Sequence, residues 1–248
     1  MNVDALERLE LMRRRLDTDG RIRVADLAVE LEVSEMTIRR DLDLLVDEGI
    51  AARVRGGAVA VGPQGFEARY RQHARAKARI AEKLLGLVGT GGAIGIDASS
   101  TLQRLASRLG EARDVTVLTN GPDTFRALQD HSGVTALLTG GELDPRTGSL
   151  VGPLAVRSAH DLLLRRVFVS AAGLDAVHGT TEATLEEAEV KLALADMAAE
   201  IVVAVDHTKL GQRGPARCLA HERMHVLVTD LDPDDARLDP YRGNIRIV

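Results

Sequence analysis

Ser34, Met36, Thr37, Arg39 and Arg40 fall within seven positions of one another, in the stretch VSEMTIRRDLDLLVDEGI at 33–50. At 100° per residue, Ile38, Leu42, Leu45 and Val46 make one apolar helical face, and Arg40 points almost directly away from it. Short polar and arginine side chains at the start of a helix suit a polyanion. The positive end of the helix faces phosphate, and the first turns reach base edges in a major groove. The bland alternative is a solvated helix on which Arg39 and Arg40 pair with Asp43 and Asp47. A second chemistry-bearing group lies at 97–101, where Asp97 precedes Ser99, Ser100 and Thr101. One hydroxyl would cap a helix. Three in a row exceed that need and suit hydrogen bonding to a phosphate, aided by backbone amides.

The elements that must position the first group are legible. Val3, Leu6, Leu9, Met12 and Leu16 predict a helix over 3–16, broken at Asp19-Gly20. Val24, Leu27, Ala28 and Leu31 predict a second helix, Ser34 caps a third and Gly49 stops it. IAARVRGGAVAV reads as two strands about a Gly56-Gly57 turn, with Arg53, Arg55 and Gly56 on a basic wing. Three helices and a hairpin describe a winged helix-turn-helix over 1–62, and that context favours the polyanion over the solvated helix. Gly62-Pro63-Gln64-Gly65 marks a boundary.

Residues 63–248 read as an α/β domain. After a helix over 66–88, apolar runs at 93–97, 115–119, 134–138, 166–170, 201–205 and 225–229 alternate with amphipathic stretches. Those stretches predict helices at about 101–109, 122–130, 152–163 and 182–198. The pattern predicts a mostly parallel sheet covered on both faces. Ligands of such sheets bind beyond the C-terminal strand ends. Asp97 with its hydroxyls, Thr119-Asn120, Gly140-Gly141, and Asp206 with Lys209 all follow apolar runs and belong to that edge. Lys191 follows Glu187 by four residues, which fits either a surface ion pair or a point charge for phosphate.

Composition narrows the classes further. The 248 residues are 45% hydrophobic and 28% charged, as in a folded globular chain, but only 2% aromatic, which disfavours single-strand binding by base stacking. One cysteine, Cys218, rules out a disulfide framework, and the seven histidines show no metal-binding spacing. No apolar run approaches the roughly 20 residues of a membrane-crossing helix, and the first residues resemble neither a signal peptide nor an anchor. The expectation is a cytoplasmic protein without metal or cofactor. The net charge of −5 is a weak guide for two domains, because clustering on one face decides nucleic-acid binding.

The dense run Val33-Ser34, Thr37-Ile38-Arg39-Arg40-Asp41-Leu42, Gly49, Arg53 and Gly56-Gly57-Ala58 resembles the N-terminal signature of the DeoR family of bacterial transcriptional regulators. Arg55 stands where the family usually has histidine. The resemblance covers nearly the whole chain. Phe66, Arg69, Lys77 and Ile80-Ala81 look like the family's linker helix, and Asp97–Thr101 is similar to its Asp-x-Gly-Thr-Thr loop, with serines at two positions. Thr119-Asn120, Gly140-Gly141-Glu142-Leu143, Gly152-Pro153, Gly173, Asp175, Gly179-Thr180, Glu187-Ala188, Lys191, Asp206 and Lys209 also match. The resemblance implies a sensor domain related in fold to ribose-5-phosphate isomerase. It further implies a double-stranded operator, a phosphorylated sugar effector that retunes a repressor of carbohydrate genes, and a homo-oligomer, dimer or tetramer.

A sugar-phosphate isomerase with an accessory domain is the competing reading. It would need a general base, for which Asp97, Asp175, Glu187 and Asp206 are available. The attached reading head favours the regulator.

Overall fold

The computed structural model describes residues 5–48, 50–60 and 66–248. The expected helix start at Val3, the stop at Gly49 and the boundary at Gly62–Gly65 lie outside them. The chain divides into two compact units, residues 1–72 and 73–248.

The first unit runs α1 (Ala5–Asp19), β1 (Arg21–Arg23), α2 (Val24–Glu30), α3 (Glu35–Asp47), β2 (Ala51–Val54), β3 (Gly57–Ala60) and α4 (Phe66–Arg71). Met12 and Leu16, Leu27 and Ala28, and Ile38, Leu42 and Leu45 come from three different helices into one core with Ile22 and Ala58. Ser34 is extended and its side chain accepts from Thr37 N, which starts α3. A buried pair, Arg8 Nε to Asp41 Oδ2 at 2.5 Å, ties α1 to α3. The expected two-strand wing is a three-stranded antiparallel sheet, order β1-β3-β2, in which Arg23 lies opposite Gly57. Strand β1 escapes the sequence pattern because it is three residues with one inward side chain, Ile22.

The second unit continues with α5 (Ala74–Val88), β4 (Ala93–Ile96), α6 (Ser100–Ala106), β5 (Val115–Thr119), α7 (Pro122–Leu128), β6 (Val134–Leu138), β7 (Glu142–Asp144), β8 (Ser149–Val151), α8 (Pro153–His160) and β9 (Arg166–Val169). Then follow β10 (Gly173–Asp175), β11 (Gly179–Glu182), α9 (Leu185–Asp196), β12 (Ile201–Ala204), β13 (Ala216–Arg217), β14 (Val226–Val228) and β15 (Arg246–Ile247). Among the described residues seven strands form one parallel sheet, order β15-β14-β12-β9-β4-β5-β6. Alternate residues of its strands feed two cores. Ile94, Ile96, Val117, Phe168 and Val202 pack under α5 and α6, while Leu118, Val167, Val169 and Val203 pack under α8 and α9.

Two differences from the sequence reading matter. The helix expected over 66–88 is two helices, α4 and α5, parted at His73, whose backbone is left-handed (φ +50°). No glycine or proline marks that break. A hairpin, β7-β8, and a small antiparallel sheet, β10-β11-β13, lie in stretches of Gly, Thr, Ser and Asp that carry no apolar alternation.

Candidate functional site

The outward face of α3 begins with Ser34, whose hydroxyl accepts from Thr37 N at 3.1 Å and shares a hydrogen bond with Thr37 Oγ1 at 2.9 Å. Ile38, Leu42 and Leu45 are 0% exposed, and Met36 on the opposite side is 70% exposed. Arg39 pairs with Glu35 at 3.1 Å, in solvent, an interaction weak enough to yield to a phosphate. Arg40 is exposed and makes no side-chain bond among the described residues. The alternative pairing of Arg39 and Arg40 with Asp43 and Asp47 is therefore not what forms. Asp43 is taken by Arg53, which also donates to the Arg39 carbonyl oxygen at 2.5 Å. Arg53 thus tethers the wing strand β2 to α3. Arg55 is exposed at the turn, where Gly56 has φ +82° and its carbonyl accepts from Val24 N. That positive φ is a reason for glycine at the turn.

In the second unit the candidate residues converge where β4 and β9 end. Asp97 is fully buried; Oδ1 accepts from Ser99 N and Oδ2 from Ser170 N, each at 2.8 Å. Lys191, from α9, reaches Asp97 Oδ2 at 3.2 Å and Glu182 Oε1 at 2.8 Å, and donates to Ser170 O at 2.9 Å. Its partners are these, not Glu187 one turn earlier. Burial pushes the Glu182 carboxyl up to about 7, with Glu187 adding and Lys191 opposing. Burial works against the Lys191 ammonium, but Glu182 and Asp97 outweigh it and hold the group charged well above its ordinary range.

Ser99 caps α6 by accepting from Leu102 N at 3.2 Å, Ser100 Oγ accepts from Lys77 Nζ at 3.0 Å, and Thr101 is buried beside them. Asn120 takes Ala98 N on Oδ1 and gives Nδ2 to Leu150 O, both at 3.1 Å, joining the Asp97 loop to the β7-β8 hairpin. Thr119 Oγ1 accepts from Gly121 N. Gly140 (φ +72°) and Gly141 (φ +117°) follow β6, and Gly141 lies against the Val151 carbonyl and Ala155. Asp206, after β12, is occupied by the Thr208 amide and hydroxyl, and Lys209 forms no ion pair among the described residues. Asp175 sits in the small sheet. Arg213 and the His178 and Val177 amides hold its carboxyl down to about 2. No bond among the described residues links Asp175, Gly140, Gly141, Asp206 or Lys209 directly to the Asp97–Lys191 cluster.

Glu182, Ser170 and Lys77 were missed as site members. Glu182 ends the run Gly-Thr-Thr-Glu, and Lys77 sits on an apolar helical stripe beside Ile80 and Ala81, so a charged residue in an apolar register was the available signal. The arrangement can accept sugar hydroxyls on carboxylates and donate hydroxyls to an anion. A buried carboxyl near pH 7 beside a lysine is also suited to proton transfer, so geometry alone leaves the isomerase reading standing. Among the described residues no group of His, Cys, Asp and Glu is arranged for a metal ion, and no helix is long and apolar enough to cross a membrane.

Comparison with known proteins decides between these readings. Residues 8–64 match the DeoR-like helix-turn-helix domain, and residues 72–231 match the DeoR C terminal sensor domain. The chain is 33% identical to the HTH-type transcriptional regulator GolR of Listeria innocua over 87% of this chain and 86% of that one. It is 29% identical to the HTH-type transcriptional repressor GlcR of Bacillus subtilis, over 94% and 91%. A solved structure, the tetrameric eIF2B-beta2-delta2 complex from C. thermophilum, superposes with TM-score 0.50 at 13% identity, over 96% of this chain and 86% of that one, a likeness of fold alone. The full-length relatives are regulators and not enzymes. The protein is a member of the DeoR family of transcriptional regulators.

Proposed function

We propose that this regulator represses carbohydrate-metabolism genes by binding a double-stranded operator, with residues 1–62 as its reading head. A phosphorylated sugar or sugar-derived effector, bound by residues 63–248, modulates that binding. The observation that carries the reading is the outward face of α3, a capped helix whose first turns present Met36, Thr37 and an unpaired Arg40 beside a wing bearing Arg55. Ser34, Arg39, Arg40, Arg55 and the Gly56 turn meet phosphate, while Thr37, Arg40 and Met36 reach base edges. Arg53 acts by holding the wing against α3. The effector lies along the sheet edge from Asp97, Ser99, Ser100 and Thr101 across Thr119, Asn120, Gly140 and Gly141. Lys191, Asp206, Lys209 and Asp175 complete its surroundings.

One winged head makes few contacts, so tight binding near physiological salt calls for at least a dimer on repeated half-sites. The effector acts by changing how the heads are held, which requires different affinities for the two arrangements. Fluorescence anisotropy with DNA from the chain's own promoter region tests the first half; binding that is neither salt-sensitive nor sequence-selective would end it. A thermal-shift screen of sugar phosphates, each hit then added to the DNA assay, tests the second.

A further inference from the structure

The seven-stranded sheet ends differently on its two sides. Strand β15 closes one edge with two residues, of which Arg246 is exposed, and Arg242 is exposed shortly before it. Short length and a projecting charge keep a free edge from pairing with another chain. Strand β6 closes the other edge with five residues, Val-Thr-Ala-Leu-Leu, all in register with β5 on the inner side. It carries no charge and no proline, and among the described residues no strand lies on its outer side. Thr135 is exposed, Leu137 and Leu138 are each 37% exposed, and the exposed Leu154 of α8 borders Gly140 just past the strand's end.

Two hydrogen bonds show which backbone groups face outward. Val115 N donates to Gly133 O at 3.2 Å and Thr139 N to Thr119 O at 3.0 Å, so the odd-numbered residues of β6 bond to β5. The Ala136 and Leu138 amides and carbonyls, with the Val134 carbonyl, then point away from the sheet. The Val134 amide is taken by His131 O at 3.0 Å. Such a row calls for water or another strand.

A second copy of the same strand meets that row without conflict. Run antiparallel about a two-fold axis at Ala136, the outward residues stand opposite one another, Ala136 against the partner's Ala136 and Val134 against the partner's Leu138. The two Ala136 residues would exchange a pair of hydrogen bonds, and each Leu138 amide would donate to the partner's Val134 carbonyl. On the other face Thr135 lies beside the partner's Leu137. Every cross-strand neighbour is apolar or a threonine, and no charges are brought together or stranded. The exposed parts of Leu137, Leu138 and Leu154 come to roughly 250 Å², close to the largest apolar patch of an ordinary monomer and about a third of what each partner buries in a standard interface. The strand's outer backbone and α7, which packs over β6, adjoin that strip.

We propose that β6 is the self-association edge of this protein, two copies pairing their β6 strands antiparallel about Ala136 to join two seven-stranded sheets. The inference rests on the reading above that the regulator works as at least a dimer, and it names the surface. Strand β6 runs directly into Gly140-Gly141 of the proposed effector edge, so ligand and association meet along one short piece of chain.

The test uses the full chain without DNA, in sedimentation runs from nanomolar to high micromolar concentration. Thr135→Lys sets an ammonium against the partner's Leu137 from a position that is exposed in the single chain. Ala136→Pro removes the outward amide at the axis and leaves the bonds to β5 in place. Arg246→Ser, on the opposite edge, is the control. Wild type and Arg246→Ser are expected to share one assembly state. Both β6 variants should fall to half that size, or need at least about tenfold higher concentration to reach it. Hydrogen exchange on wild type gives a reading that no variant's folding can confuse. The Ala136 and Leu138 amides should slow as concentration rises, while those of Thr135 and Leu137, already bonded to β5, should not change. Association undiminished in Thr135→Lys, or an associated wild type without protection at 136 and 138, overturns this surface and leaves the dimer reading standing. A wild type that is monomeric throughout overturns both.

Discussion

Replacing Lys191 with methionine keeps the length of the side chain and removes the cation that Asp97 and Glu182 share. The side chains are 8%, 0% and 3% exposed, so water cannot take the place of the ammonium. Breaking a buried ion pair from one side costs ~3–5 kcal/mol. With a urea m-value of about 2–3 kcal/mol/M, the unfolding midpoint of the second unit should fall by roughly 1–2 M. The pH dependence has a definite sign. Glu182 is raised from 4.5 to about 7 in the folded chain, so between those values the folded state binds more protons than the unfolded one. Stability then falls as pH rises from about 4.5 to 7 and levels off above. The groups facing Glu182 are Lys191, Asp97, Glu187 and Cys218. Without Lys191 the carboxyl is raised further, so the Lys191→Met deficit should be smallest near pH 5 and largest near pH 8. Glu182→Gln in the Lys191→Met background should recover more than half of it, because Asp97 keeps the Ser99 and Ser170 amides. The assay is urea unfolding followed by circular dichroism at pH 5, 6.5 and 8. A single variant within about 1 kcal/mol of wild type at pH 8, or a deficit independent of pH, would refute the assignment of Lys191 as the counter-ion of this cluster.

Arg40→Ala should weaken operator binding about ten- to a hundredfold in anisotropy titrations while effector-induced thermal shifts persist; equal DNA affinity would remove Arg40 from the reading face. Gly57→Ala puts a β-carbon onto the Ile22 carbonyl oxygen where β3 meets β1, and should cost the first unit about 1–3 kcal/mol in chemical denaturation. Ser34→Ala removes the acceptor for Thr37 N and should lower the stability of the same unit by about 1 kcal/mol, read by the same unfolding curve.

How far the sequence reached depends on what each residue had to satisfy. Ile38, Leu42 and Leu45 announce their face because a helix that packs on one side must repeat at three and four, and five of the six apolar runs are strands covered on both faces, whereas β6, at the sheet's edge, leaves Leu137 and Leu138 exposed. The edge where ligands bind follows from parallel topology, so Asp97, Asn120 and Asp206 could be placed at strand ends before any coordinates. Partner choice was less accessible. Lys191 has a glutamate at the ideal helical spacing, yet it reaches inward to Asp97 and Glu182, which only the packing of α9 against β9 and β11 brings together. Asp175 matched a family position, but its two oxygens are taken by backbone amides and Arg213 in a sheet with no apolar signature.

The acidic balance of the whole chain ceases to oppose nucleic-acid binding once pairing is traced. Residues 1–72 carry 12 arginines, no lysine, and 14 aspartates and glutamates, a net charge of −2. Many of those acids are engaged: Glu48 with Arg13, Glu30 with Arg15, Asp41 with Arg8, Asp43 with Arg53. Among the described residues, Arg40 on α3 and Arg55 on the wing remain exposed and unpaired at the proposed reading face. A head so nearly neutral attracts DNA weakly at long range, because non-specific affinity follows the number of phosphates neutralised. On the proposed reading, discrimination comes instead from the planar, bidentate geometry of a few arginines and from using two heads at once. On the proposed reading this is also what makes regulation feasible, since an effector that misaligns one head of a pair removes about half of the contacts without having to touch the DNA-reading face.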